Sequence, residues 1–176
     1  MVVDIVLIGP PGSGKTSVAK ALARKLNTSR IDTDHEIEVR AGKKISEIFT
    51  EDGEAKFREM EVELVAEALA RNGGIVSVGG GSVLNESSQR AIATAQQVVF
   101  LDVSISNAAP RVGFNKDRPL LALNPRQQWL QLMEKRRPIY ESLATLTIST
   151  DNKKPDEVAS EIIETMSRAS QKNGGQ

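Results

Sequence analysis

The octapeptide GPPGSGKT, Gly9 to Thr16, places a lysine and a hydroxyl behind flexible backbone at the spacing G-x-x-x-x-G-K-[ST]. The glycines allow the tight turn in which successive N–H groups converge on a phosphate, and a following helix N-terminus adds partial positive charge. Pro10 and Pro11 have no N–H, so Ser13, Gly14, Lys15 and Thr16 are expected to supply most donors. Lys15 is the natural countercharge for the β and γ phosphates, and the Thr16 hydroxyl is a magnesium ligand. The stretch Gly12, Ser13, Gly14, Lys15, Thr16 and Ser17 is therefore assigned to a nucleotide such as ATP, with Mg2+.

Carboxylates are the next requirement. RIDTDHE, residues 30 to 36, carries Asp32 and Asp34, which face one space if the segment is extended. A competing reading has Asp34 cap the next helix while Asp32 closes a turn. P-loop enzymes commonly hold magnesium with an acid from a later strand, yet GGIVSVGGGSV ends its strand in glycines. Asp32 is accordingly assigned to the metal through a water, and Asp34 to a substrate hydroxyl. Gly79, Gly80 and Gly81 permit close backbone approach to a ligand, with a simple flexible turn as the alternative.

Two arginines interrupt apolar helical rows. Arg58 heads the row Val62, Val65, Leu69, and Arg136 stands in the row Trp129, Leu132, Met133, Tyr140. Each needs an anion: either a structural partner such as Glu61 or Glu54, or a substrate carboxylate matched by the planar guanidinium fork. Residues 111 to 125, RVGFNKDRPLLALNP, have weak periodicity and read as a lid, with Arg118 able to reach a transferring phosphoryl group and Arg111 to stack on adenine, or with both as surface arginines of an ordinary loop. His35 reads as a solvated residue at a helix start.

The elements that must position these groups alternate. Strands are expected at 3–8, around 31, 75–78, 98–103 and 145–148. Helices are expected at about 15–26, 34–50, 54–71, 86–95, 104–112, 125–142 and 155–168. This order predicts an α/β three-layer fold with a parallel sheet whose ligands sit at the carboxyl strand ends. The 176 residues fit one domain, taken as 1–170, with a substrate-binding region near 33–61, a lid near 112–124 and a disordered tail at 171–176. Balanced charge, 23 basic against 23 acidic residues, and no basic stripe argue against nucleic acid or an anionic membrane. No cysteine and one histidine exclude disulfides and multi-histidine metal sites. The apolar start is too short for a signal core or a spanning helix, so a cytoplasmic monomer is expected.

Taken together, GPPGSGKT, DTD, FREME, GGG, RPLL and KRRPIY, in this order from about residue 3 to 168, closely resemble the shikimate kinases. The resemblance implies a nucleoside-monophosphate-kinase-like fold with five parallel strands in order 2-3-1-4-5. It also implies ATP-dependent phosphorylation of the shikimate 3-hydroxyl on the way to the aromatic amino acids. Carried over by position, it puts substrate contacts at Asp34, Arg58, Gly79 to Gly81 and Arg136, the lid arginine at Arg118, the adenine-flanking arginine at Arg111, and the last nucleotide loop at TDNKKP with Lys153. Pro110 departs from the pattern and is expected to shorten the helix before the lid. A gluconate-type kinase of similar fold and a GTPase-like or non-catalytic nucleotide module are the rival readings.

Overall fold

The computed structural model describes residues 4–71, 73–112 and 124–173. Arg118 and all but the two ends of the expected lid lie outside them. Five strands, β1 (Asp4–Ile8), β2 (Arg30–Asp32), β3 (Gly74–Ser77), β4 (Gln97–Asp102) and β5 (Leu146–Ser149), form one sheet in the order β2-β3-β1-β4-β5. All four pairings are parallel, as crossover helices require.

Alternation along β1 builds both layers of core. Val6 and Ile8 join Val76, Val98 and Phe100 under α4 (Glu54–Ala70), α5 (Glu86–Ile92) and α7 (Pro125–Leu143). Ile5 and Leu7 join Ile75, Val99 and Ile148 under α1 (Lys15–Leu26) and α8 (Pro155–Asn173). A separate small core of Ile37, Ile48, Phe57 and Leu64 supports the region between β2 and α4.

Four local expectations need correction. The helix expected over 34–50 is broken: α2 (Thr33–Ala41) ends at Gly42, which takes the left-handed conformation at φ 67° and closes on the Glu38 carbonyl. The chain then makes the short α3 (Ile45–Glu47) and a wide turn, Ile48–Asp52, stopped by Gly53 at φ 89°. Helix α6 (Ile105–Val112) runs through Pro110 rather than stopping before it. Helix α8 reaches Asn173, past the end expected at 168, with Ile162, Ile163 and Met166 packed onto the α1 side of the sheet. On α4 the buried row is Phe57, Glu61, Leu64, Val65 and Ala68, while Val62 and Leu69 are half-buried. The polar member of the buried row is thus Glu61, with Arg58 at its edge.

Candidate active site

The carboxyl ends of β1, β2 and β3 open into two adjoining cavities. The first is lined by Gly12, Ser13, Gly14, Lys15, Thr16 and Ser17 together with Arg111, Thr150 and Lys153. Gly14 caps α1 at φ 89°, a left-handed conformation that turns the loop into the helix, and the first N–H groups of α1 lie on this cavity. The Ser13 N–H closes a turn on the Pro10 carbonyl at 3.2 Å. The Lys15 ammonium donates to the carbonyls of Gly9 and Pro10 at 2.8 and 3.1 Å, so it lies across the loop. Gly12 cannot be larger, since a Cβ would come within 2.8 Å of the Ala108 carbonyl on α6. On the same side Arg111 donates to the Gly12 carbonyl at 3.3 Å and, through both terminal nitrogens, to the Thr150 hydroxyl at 2.9 Å and carbonyl at 2.8 Å. Lys153 is held by the Ser149 carbonyl and Glu161 at 2.9 and 2.6 Å.

The two aspartates are arranged by a helix cap rather than by strand alternation. Asp32 is the extended N-cap of α2, and its Oδ1 accepts from the N–H groups of Asp34 and His35 at 3.1 and 3.3 Å. Its Oδ2 accepts from the Thr16 hydroxyl at 2.6 Å. Asp34 stands in the first turn of α2, not at its cap. Thr33 between them is buried and accepts from the Gly79 N–H at 3.2 Å, which binds the start of α2 to the glycine turn. A hydroxyl and a carboxylate at 2.6 Å beside the phosphate loop form a hard-oxygen pair suited to Mg2+. Among the described residues no cluster of three His, Asp or Glu side chains competes with it. So small a protein donor set fits a metal whose other ligands are phosphates and water.

The second cavity, about 360 Å3, is bounded by Asp34, Phe49, Phe57, Arg58, Glu61, Gly79 to Gly81, Leu132 and Arg136, with exposed His35 among its lining. Arg58 reaches it while paired with Glu61 at 2.7 Å and with Glu54 at 3.6 Å. Arg58 is thus ion-paired, as its structural reading has it, while it also faces the cavity. Glu61 is 3 % exposed, and burial of that carboxylate is tolerable only because the guanidinium meets it. Arg136 is 7 % exposed and lines the same cavity. Glycine leaves room for its charged groups: a Cβ on Gly79 would lie 2.5 Å from Asp34 Oδ1, and one on Gly81 would overlap the Arg58 guanidinium. Helix α7 fastens the two cavities together, with the Trp129 indole N–H donating to the Pro11 carbonyl at 2.9 Å and the Tyr140 hydroxyl to the Gly80 carbonyl at 2.6 Å.

Every expected site residue within the described range lines one cavity or the other. Sequence reasoning passed over Thr33, Trp129, Tyr140 and Thr150, which act on backbone carbonyls or amides, and it weighed Glu61 only as a structural partner. Buried hydroxyl and indole groups in apolar rows were the available signal.

The cavities share Thr16, Asp32, Asp34 and Gly80, so a phosphate donor and a small polar acceptor would meet over Asp34. Fold and site together define a P-loop kinase acting on a small molecule. Known proteins narrow that class. A family model described as shikimate kinase matches residues 11–167. The shikimate kinase of Thermobifida fusca is 54 % identical over 154 residues, covering 88 % of this chain and 89 % of that protein. A shikimate kinase structure from Acinetobacter baumannii, in complex with shikimate, superposes with a TM-score of 0.93 at 32 % identity, covering 96 % of this chain and 95 % of that one. A gluconokinase from Sinorhizobium meliloti, at 20 % identity and TM-score 0.60 over 97 % of this chain and 94 % of that one, shares the fold alone. The chain belongs to the shikimate kinase family. It is a phosphotransferase of the shikimate pathway, using ATP and Mg2+.

Proposed function

We propose that the loop cavity takes ATP, that the Arg58–Arg136 cavity takes shikimate, and that the 3-hydroxyl is delivered at Asp34. The observation carrying this division is that the two cavities adjoin through Asp34, Asp32, Thr16 and Gly80. Shikimate is a carboxylic acid with three hydroxyls, and two guanidiniums plus a carboxylate match those groups.

Asp34 accepts the hydrogen bond of the attacking hydroxyl and receives its proton as the oxygen bonds to phosphorus. Because the transition state of phosphoryl transfer is loose, most of the rate comes from holding that hydroxyl in line. Lys15 stabilises charge growing on the phosphoryl oxygens, and the loop N–H groups hold the departing diphosphate. Thr16 and Asp32 would hold Mg2+, which when bound supplies charge neutralisation between the β and γ phosphates. Arg111 and Lys153 border the nucleotide, while Arg118 is assigned to the phosphoryl group through its RPLL motif. The kinase domain is taken as residues 1–170, with 33–61 serving the acid and 112–124 the lid.

The chain is inferred to act as a cytoplasmic monomer. Both cavities are built from one copy, and among the described residues no helix is long and apolar enough to cross a membrane. A coupled ADP-release assay offering shikimate, gluconate or water as acceptor tests the assignment. Turnover is expected with shikimate; turnover with gluconate alone, or equal turnover without acceptor, overturns it.

A further inference from the structure

The glycine turn is closed by the Ser82 N–H donating to the Gly79 carbonyl at 3.0 Å, so Gly79 to Ser82 form a β-turn whose central peptide joins Gly80 and Gly81. Gly81 sits at φ −88° and ψ −6°, the values of the third residue of a type I turn. Rotating the central peptide by half a turn converts type I into type II with the flanking chain almost unmoved. For most sequences a side chain at the third position opposes the flip, because type II needs positive φ there. Two central glycines remove that opposition. The conformation of this turn has to be chosen by something outside it.

Tyr140 touches its central peptide. It is fully buried on α7, one helical turn beyond Arg136, and its ring stacks on Phe100 with centroids 5.1 Å apart. Its hydroxyl donates to the Gly80 carbonyl at 2.6 Å, while the residue itself is not part of the acceptor-cavity wall. Burial pushes its ionisation up to about 12 against the opposing pull of the Arg136 guanidinium, so the hydroxyl remains a donor at working pH. In a planar trans peptide the carbonyl and the following N–H point to opposite sides. Drawing the Gly80 carbonyl towards α7 therefore turns the Gly81 N–H away from it.

We propose that Tyr140 is a positioning residue for the acid acceptor: its hydroxyl locks the Gly80–Gly81 peptide in the type I orientation, which presents the Gly81 N–H to the acceptor cavity. The proposal rests on the reading of that cavity as the shikimate site. Tyr140 does not line the cavity; its hydroxyl acts on the Gly80–Gly81 peptide and also meets the Arg136 guanidinium, so a raised shikimate KM with an unbroadened Gly81 amide would assign the effect to Arg136 and overturn the lock.

The test is Tyr140→Phe, which deletes one oxygen and keeps the stacked ring, with Arg136→Ala as companion. KM is measured for shikimate and for ATP, alongside the thermal midpoint and the amide NMR line width of Gly81. Tyr140→Phe is expected to raise the shikimate KM about five- to tenfold, the worth of one hydrogen bond, while the ATP KM stays within about twofold. The Gly81 amide is expected to broaden as the peptide exchanges between orientations. A shikimate KM unchanged in Tyr140→Phe but raised in Arg136→Ala overturns the lock alone. Equal rises in both Michaelis constants with a large drop in thermal midpoint assign Tyr140 a purely structural role and also overturn it. Unchanged shikimate KM in both variants removes the cavity reading, and the lock with it.

Discussion

The donor and acceptor cavities adjoin, yet they are made of different materials. The donor side is built around one continuous stretch, Gly12 to Ser17, with Arg111 bonded to the Gly12 carbonyl and to Thr150 beside it. The acceptor side is mostly side chains brought from α2, α4 and α7 around one glycine turn. A phosphate is recognised by converging N–H groups that many side-chain sequences can present, so its site is compact in the chain. A particular small acid needs charges at defined separations, so its site draws on distant elements and on the fold that spaces them. Substitutions should therefore divide cleanly, with acceptor-side changes sparing ATP and donor-side changes sparing the acid.

The largest effect is expected where the cavities meet. Asp34→Asn keeps the shape but removes the proton acceptor, and kcat should fall by roughly 10²–10⁴-fold; near-normal turnover would remove Asp34 from the mechanism. Next comes Arg136→Ala, which should raise the shikimate KM by about a hundredfold with the ATP KM little changed. Loss of thermal stability with both constants intact would instead make Arg136 a structural charge.

A smaller effect probes the donor side. Thr150 is 2 % exposed, and its hydroxyl accepts from Arg111 while lying 3.3 Å from the Asp102 carbonyl as donor. Thr150→Val, of the same shape, should raise the ATP KM about fivefold and leave the acid unaffected, with Thr150→Ser restoring it. A rise in the shikimate KM instead would break the division. The smallest effect concerns stability. The Tyr140 hydroxyl ionises near 10.0 when unfolded and about 12 when folded. The folded state thus holds the proton more tightly, and this contribution is complete below about pH 10 and lost as pH rises through about 12. Denaturant unfolding should show the wild type's margin over Tyr140→Phe shrinking across that window, and a constant margin would contradict the sign.

The same contrast explains what the sequence disclosed. The phosphate loop was legible because its function lies in contiguous backbone that only certain residues permit. Arg136 was legible because a charge in an apolar row is conspicuous, and the strand order followed from family resemblance confirmed in the sheet. Arg58 was half legible: the row drawn through Val62 and Leu69 was off by one position, which hid Glu61 as the buried member. Asp32 and Asp34 were read as a pair with separate roles, but the cap geometry that sets them apart was not foreseen. Thr33, Trp129, Tyr140 and Thr150 stayed hidden because each acts on a backbone group from a distant element, at sequence separations of 46, 118, 60 and 48 residues. A hydroxyl or indole in an apolar row is all that local pattern offers, and it does not name the distant backbone group that the side chain meets.

Two separately built cavities come together at Asp34, and calorimetric titration of the Asp34→Asn protein with Mg–ATP and with shikimate is the sharpest check on that junction. The variant is expected to bind ATP as tightly as the wild type does and shikimate within about tenfold, even as turnover collapses. Loss of ATP binding would show that Asp34 belongs to the donor site and that the division between the cavities is false.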